Sequence, residues 1–283
     1  MPLIDLILNL AALLLWLNWR AIDFAAISSP RVSIVSNLKK LNRSPSRWIF
    51  FVILLAVLLG RAVIYRQLGP ALDWVAAIPL GPTTLHFRSD YFGRIFLFSF
   101  LSFGVVLGIF YLGLLFFSIV NTRISDADPL QKLIRLHMGW LERLPLFIKL
   151  FLPLLVPLCL WICVRPLLIY LNLVPETSSF RHAVEQGVVI GLNAYFIWKY
   201  YILAVLVLHV LNSYIYFGAA PVWTYIAQTG RQVMLPLSRL PLLAGRFGPL
   251  VELLCIIFAM ALIFFGAKYA QWKLGVLYSN FVT

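Results

Sequence analysis

The chain has 283 residues, 62% hydrophobic and only 12% charged, and carries a formal net charge of +13. Soluble domains run near half apolar and a quarter charged, so this balance excludes an ordinary soluble enzyme, a disordered segment and a secreted disulfide scaffold. The positive excess points to loop orientation and anionic headgroups, and nucleic acid is not expected as a partner.

A membrane-spanning helix needs about 20 mostly apolar residues. Six stretches reach that length, at 3–19, 48–65, 95–120, 147–171, 196–217 and 249–270. The first, with Asp5, Asn9 and Asn18, is the weakest. No Lys or Arg precedes it, whereas Arg20, Arg31, Lys39, Lys40, Arg43 and Arg47 follow. That order favours a retained helix with an exported N-terminus over a secretory signal cleaved near Ala25 and Ala26. The connections 20–47, 121–146 and 218–248, with Lys149, then lie in the cytoplasm and hold fourteen of the 23 positive residues. The intervening segments, 66–94 and 172–195 among them, lie outside. Six helices with both termini outside the cytoplasm, in an inner (cytoplasmic) membrane, are the expected topology.

The second half of the sequence repeats. Pro129 and Pro157 are 28 residues apart, as are Pro221 and Pro249, and the two pairs are offset by 92 residues. Leu158 and Leu250 follow the second prolines, and Arg143-Leu144-Pro145 corresponds to Arg239-Leu240-Pro241. The fold class expected is therefore all-α and polytopic, built of helix, cytoplasmic amphipathic segment and helix, in parallel copies. Segment 1–94 is an N-terminal hairpin with an outer loop, 95–171 the first repeat and 172–283 the second. Pro30, Lys39, Lys40 and Pro45 hint that the hairpin is itself a diverged copy. Parallel copies weaken a transporter reading, since many transporters use inverted repeats. From Pro129, the residues Leu130, Leu133, Ile134, Met138 and Leu141 recur at helical spacing, opposite Gln131, Lys132, Arg135 and Glu142. Such a helix lies in the interface with its basic face toward headgroups, the alternative being a solvated basic loop. Asp128 is placed to cap it.

The run from Ala220 to Pro241, with Pro221, Pro236 and Arg239, followed by Gly245 and Pro249, resembles the YggT family of small integral membrane proteins. The first copy matches through Asp128, Pro129, Arg143, Pro145, Pro157 and Leu158, so the resemblance covers residues 95–270. It implies an accessory or assembly protein. Bacterial members are associated with osmotic stress and division-linked processes, and plastid relatives with maturation of a membrane cytochrome complex. The family offers no catalytic residue to carry over.

Ionisable groups inside spans are the default functional candidates in a membrane chain. Lys199, between Trp198, Tyr200 and Tyr201, has two readings. It either snorkels at the outer interface, like Arg61, Arg165 and Lys268, or faces the bundle interior. His209 shares a helical face with Asn212 and Ser213, which suits hydrogen bonding between helices. The other histidines, His86, His137 and His182, fall in loops or at edges, so haem ligation by this chain is not expected. Cys159 and Cys163 share a face of helix four and, with Cys255, read as small buried hydrophobes rather than metal ligands. Glu252 suits an ion pair with Arg239 or Arg246, or else a proton relay. Pro153, Pro157 and Pro166 mark helix four as an irregular, interior-packed element. No catalytic or nucleotide-binding motif occurs, and neither a cofactor nor a metal is expected.

The expected function is a non-catalytic scaffold, assembly factor or accessory subunit of a larger membrane complex. Arg135, Arg143, Arg231 and Arg239 would contact anionic lipid or other membrane subunits. A channel or transporter acting in osmotic or ion homeostasis is the alternative, with Lys199, His209 and Asn212 as its intramembrane polar residues.

Overall fold

The computed structural model describes residues 2–28, 47–71, 74–81, 84–89, 91–122, 128–174, 179–215, 220–238 and 249–282. Apart from one β-hairpin, the regular structure among them is helical. Its elements are α1 (Pro2–Ser28), α2 (Arg47–Ala71), β1 (Ala76–Pro79), β2 (Thr84–Phe87), α3 (Phe92–Val120) and α4 (Pro129–Met138), then a 3-10 turn (Gly139–Arg143), α5 (Leu146–Tyr170), α6 (Phe180–Tyr195), α7 (Trp198–Tyr214), α8 (Pro221–Ser238) and α9 (Pro249–Val282). Among the described residues, six candidate spans are long and apolar enough to cross a bilayer: Leu3–Arg20, Trp48–Ala71, Phe92–Val120, Leu146–Tyr170, Phe180–Tyr214 and Leu253–Ser279. The protein is thus a multi-pass helical membrane protein.

The chain divides into two compact units, Met1–Ile78 with Leu85–Gly108, and Pro79–Thr84 with Ile109–Thr283. In the first, α1 and α2 pack together with the start of α3 around Ala12, Leu54, Leu58 and Phe103. The loop expected over 66–94 contains the β-hairpin. Its strands alternate in burial, so Ala76, Ile78, Leu85 and Phe87 turn inward while their neighbours face out, as a pleated strand requires. Phe87 packs on Phe98, and Trp74 lies against both Tyr65 and Phe98.

In the second unit, α5 and α6 form a tight antiparallel pair. A Cβ added at Gly191 would stand 2.6 Å from the carbonyl oxygen of Leu154, and one at Gly187 would stand 2.5 Å from a terminal methyl of Leu158. Only a missing side chain lets these backbones approach so closely, the usual device between membrane helices. The pairing corrects the sequence reading at two places. Residues 180–195, expected in an outer loop, are helical and belong to the span Phe180–Tyr214. Helix α5, expected to be irregular and interior, is continuous from Leu146 to Tyr170 and turns Phe147, Leu155, Leu160 and Tyr170 outward. Pro153, Pro157 and Pro166 all lie inside it without ending it. Cys159 and Cys163 are exposed rather than buried, with Cys255 between the two conditions.

Helix α4 begins where the sequence places it. Asp128 accepts hydrogen bonds from the backbone N–H groups of Leu130 (2.8 Å) and Gln131 (3.3 Å), and Pro129 occupies the first helical position. Its buried face, however, carries Gln131, Ile134, His137 and Met138, and Leu133 is exposed. The stripe is rotated toward Gln131, whose Oε1 accepts from Tyr225 of α8 (3.2 Å) while its Nε2 is buried without a partner among the described residues. Ile134 and Met138 join Leu114, Leu115 and Tyr225 in the core of this unit.

Candidate functional site

Among the described residues, three polar clusters are built around a buried cation, Arg61, Lys149 or Lys199. The first is in the unit formed by α1, α2 and the start of α3. Arg61, in the middle of the span Trp48–Ala71, is 2% exposed. Its guanidinium donates to Asn9 Oδ1 (2.7 Å), Asp5 Oδ1 (2.7 Å) and Ser102 Oγ (2.9 Å). Asn9 Nδ2 also donates to Ser102 Oγ (3.0 Å), and the Tyr65 hydroxyl donates to Asp5. Tyr65 and Phe98 offer ring faces 5.5 and 5.1 Å from the guanidinium carbon. Arg61 therefore does not snorkel: three helices converge on one buried cation. A pair such as this ties helices together, because either charge alone in an apolar interior costs several kcal/mol. Arg165, read in the same way as Arg61, has Nε and Nη2 buried without a hydrogen-bond partner among the described residues.

The second cluster joins α3, the 3-10 turn and α5. Glu142 accepts from Ser118 and meets Lys149 Nζ at 3.2 Å and Arg135 Nε at 3.8 Å. Lys149 also donates to Ser118 Oγ (2.9 Å) and is 5% exposed. Beside it Asn121 Nδ2 donates to Thr229 Oγ1 (2.9 Å), linking the end of α3 to α8. Burial pushes the Tyr225 phenol up to about 12, with the Asp128 and Glu142 carboxylates adding to the rise. The phenol is protonated in both folded and unfolded chains below pH 10, its ordinary value. Above that only the unfolded chain ionises, so the stability Tyr225 contributes is intact below pH 10 and lost between about 10 and 12. Alkaline unfolding of Tyr225→Phe should accordingly be shallower than that of the parent across this window, monitored by circular dichroism in detergent.

The third cluster joins α6, α7 and α9. Lys199 is 6% exposed, so its side chain turns into the protein rather than out to solvent. It donates to Gln271 Oε1 (2.8 Å), and Gln271 Nε2 donates in turn to Asn193 Oδ1 (3.1 Å). Tyr200 and Phe264 flank the ammonium at 4.9 and 5.9 Å. Among the described residues no carboxylate pairs with it. Just before it the helix is interrupted at Phe196 and Ile197. Their N–H groups, with that of Tyr200, bond carbonyls three residues back rather than four.

The remaining expected residues are scattered. His209 packs beneath Gly230, where a Cβ would stand 2.4 Å from the imidazole Cγ, and Asn212 Nδ2 donates to the Trp223 carbonyl at 3.5 Å. Both residues therefore serve the contact between α7 and α8. Arg135 turns to Glu142, whereas Arg143 and Arg231 are exposed. Arg239 and Arg246 lie outside the described residues, as does the side chain of Glu252. The residues that sequence reasoning missed are the neutral partners Asn9, Ser102, Asn193 and Gln271, and the counter-ion Asp5. One signal was available. Asp5 and Asn9, one turn apart in one span, with an arginine in the next, are the pattern of an intramembrane pair. No family model, no curated protein and no solved structure matches the chain.

Proposed function

We propose that the protein is a non-catalytic integral membrane scaffold, acting as an assembly factor or accessory subunit of a larger membrane complex, of the kind its YggT-like residues imply. The observation that carries this reading is how its intramembrane polar groups are used. Arg61, Lys149 and Lys199 are each engaged by side chains of other helices of the same chain, which makes them interlocks within each compact unit. The protein presents lipid or partner helices with apolar and aromatic faces, among them Leu160 and Tyr170 on α5 and Phe258, Leu262, Phe265 and Trp272 on α9. The two-copy repeat is supported by Pro129 and Pro221, each of which begins the helix that follows a spanning helix. Positive residues in the connections support an orientation with both termini outside the cytoplasm. Purification in mild detergent at native expression level, with identification of what co-purifies, tests the proposal. A stoichiometric membrane partner is expected, and a lone monomer that retains no partner would overturn it.

A channel or transporter is the second reading, favoured by Lys199 beside the interruption at Phe196 and Ile197. Breaks of that kind accompany ion and substrate sites in transporters. Ion flux in proteoliposomes that disappears in Lys199→Leu would support it, and absence of flux under every gradient would sink it.

A further inference from the structure

The corner between α4 and α5 carries an asymmetry that the ion pairs create. Segment 128–149 holds two carboxylates, and both are occupied internally. Asp128 caps α4, and Glu142 is held by Ser118, Lys149 and Arg135. Arg143, next to Glu142 in sequence, is exposed and has no carboxylate partner among the described residues; the same holds for Lys132. Two large aromatic side chains stand out beside this free charge: Trp140 is 71% and Phe147 70% exposed, with Leu146 at 51%.

The depth of this corner follows from its bonds. Glu142 is tied to Ser118, two residues before the end of the span Phe92–Val120, and to Lys149, near the start of the span Leu146–Tyr170. The 3-10 turn Gly139–Arg143 therefore sits where the apolar layer meets the headgroups. Gly139, at φ +58°, ends α4 in a conformation that L-residues avoid, and so starts the turn that presents Trp140 outward. Tryptophan prefers that depth because its ring is apolar and its indole N–H is polar. An arginine there meets phosphate as a planar fork of donors.

We propose that this corner is a binding site for an anionic phospholipid, with Trp140 and Phe147 seated among the acyl chains, Arg143 on the headgroup phosphate and Lys132 adding to the local positive field. The site deepens the scaffold reading, on whose membrane placement it rests, by naming the lipid class that holds the protein in the leaflet.

The test titrates the detergent-purified protein with phosphatidylglycerol, phosphatidylcholine or inorganic phosphate. It reads the unfolding midpoint together with the lipids retained in native mass spectrometry. Phosphatidylglycerol should raise the midpoint more than phosphatidylcholine, and inorganic phosphate should not substitute for it. Arg143→Gln should weaken retention of phosphatidylglycerol about fivefold, the effect of one cationic residue near an anionic surface, and leave phosphatidylcholine unchanged. Arg143→Lys should largely restore it. Trp140→Ala should reduce retention of both lipids. Equal responses to the two lipids, an undiminished phosphatidylglycerol preference in Arg143→Gln, or full substitution by inorganic phosphate would each overturn the proposal. Co-purification of a partner, measured on the same Arg143→Gln protein, separates this outcome from failure of the scaffold reading.

Discussion

Asp5→Asn is expected to destabilise the unit built on α1, α2 and the start of α3 by about 3 kcal/mol, the low end for removing one partner of a buried pair. The low end applies because the Asp5 side chain is 21% exposed while that of Arg61 is 1% exposed. The substitution leaves Arg61 with Asn9 and Ser102 as neutral acceptors and no counter-charge. Removing both charges behaves differently. Asp5→Leu with Arg61→Leu should cost clearly less than the sum of the two single changes, because the desolvation cost of both ions disappears together, although the Tyr65 hydroxyl and Asn9 Oδ1 lose their partners. Unfolding free energies of Asp5→Leu, Arg61→Leu and the double variant in one detergent give the coupling energy. A coupling under about 0.5 kcal/mol, the size of ordinary non-additivity between independent sites, would mean that the pair does not hold these helices together. The double variant also bears on function. If it still co-purifies with the same partner, the pair is a fastening and not a contact surface.

The second large effect concerns α5 and α6. Gly191→Ala would drive its methyl to 2.6 Å from the Leu154 carbonyl oxygen and 3.1 Å from the Leu154 Cα, both backbone atoms that cannot swing aside. Forced backbone separation costs about 1–3 kcal/mol, and the roughly 1 kcal/mol gained by replacing glycine in a helix offsets only part of it. Gly191→Val should therefore separate the pair outright and lower the unfolding midpoint further. Gly187→Ala is the control. Its methyl would meet chiefly the Leu158 side-chain terminus at 2.5 Å, with the Leu158 Cα at 3.5 Å, so a rotamer change relieves the contact. A Gly187→Ala protein at least as stable as the parent, beside a clearly weakened Gly191→Ala protein, is the expected result. The reverse order would mean that the two helices do not approach as described.

The same two glycines explain what could be read in the sequence. Apolar runs located the cores of all six spans, because an uninterrupted hydrophobic stretch reports burial in lipid without any tertiary information. Pro129 with Asp128 located the start of α4, since a capping acceptor and a proline at the first position act locally. Residues 180–195 escaped because Arg181, His182, Glu185, Gln186 and Asn193 lower the hydropathy of a segment whose fit depends on α5. The four-residue spacing of Gly187 and Gly191 was the signal present, and it identifies a packing face only once the opposing helix is known. Burial of Lys199 was open for the same reason, since it depends on a partner in α9 distant in sequence. Gln131 of α4 was assigned to the polar face because its partner Tyr225 lies 94 residues away. Periodicity ranks a glutamine as polar whether or not a hydroxyl waits for it. The hairpin at 76–87 was equally local, with Gly81 at φ +88° between two short alternating strands, but it lay inside a stretch read as loop.

The bonds from α9 back to α6 and α7 impose an order on synthesis. Gln271 emerges 72 residues after Lys199 and 78 after Asn193, and Tyr278 emerges 92 after Gln186. At about 5–20 residues per second, a ribosome leaves the Lys199 ammonium, the Asn193 acceptor and the Gln186 donor waiting for roughly four to twenty seconds. The contacts that α9 makes with α6 and α7 are therefore the last of the described interhelical bonds able to form during synthesis.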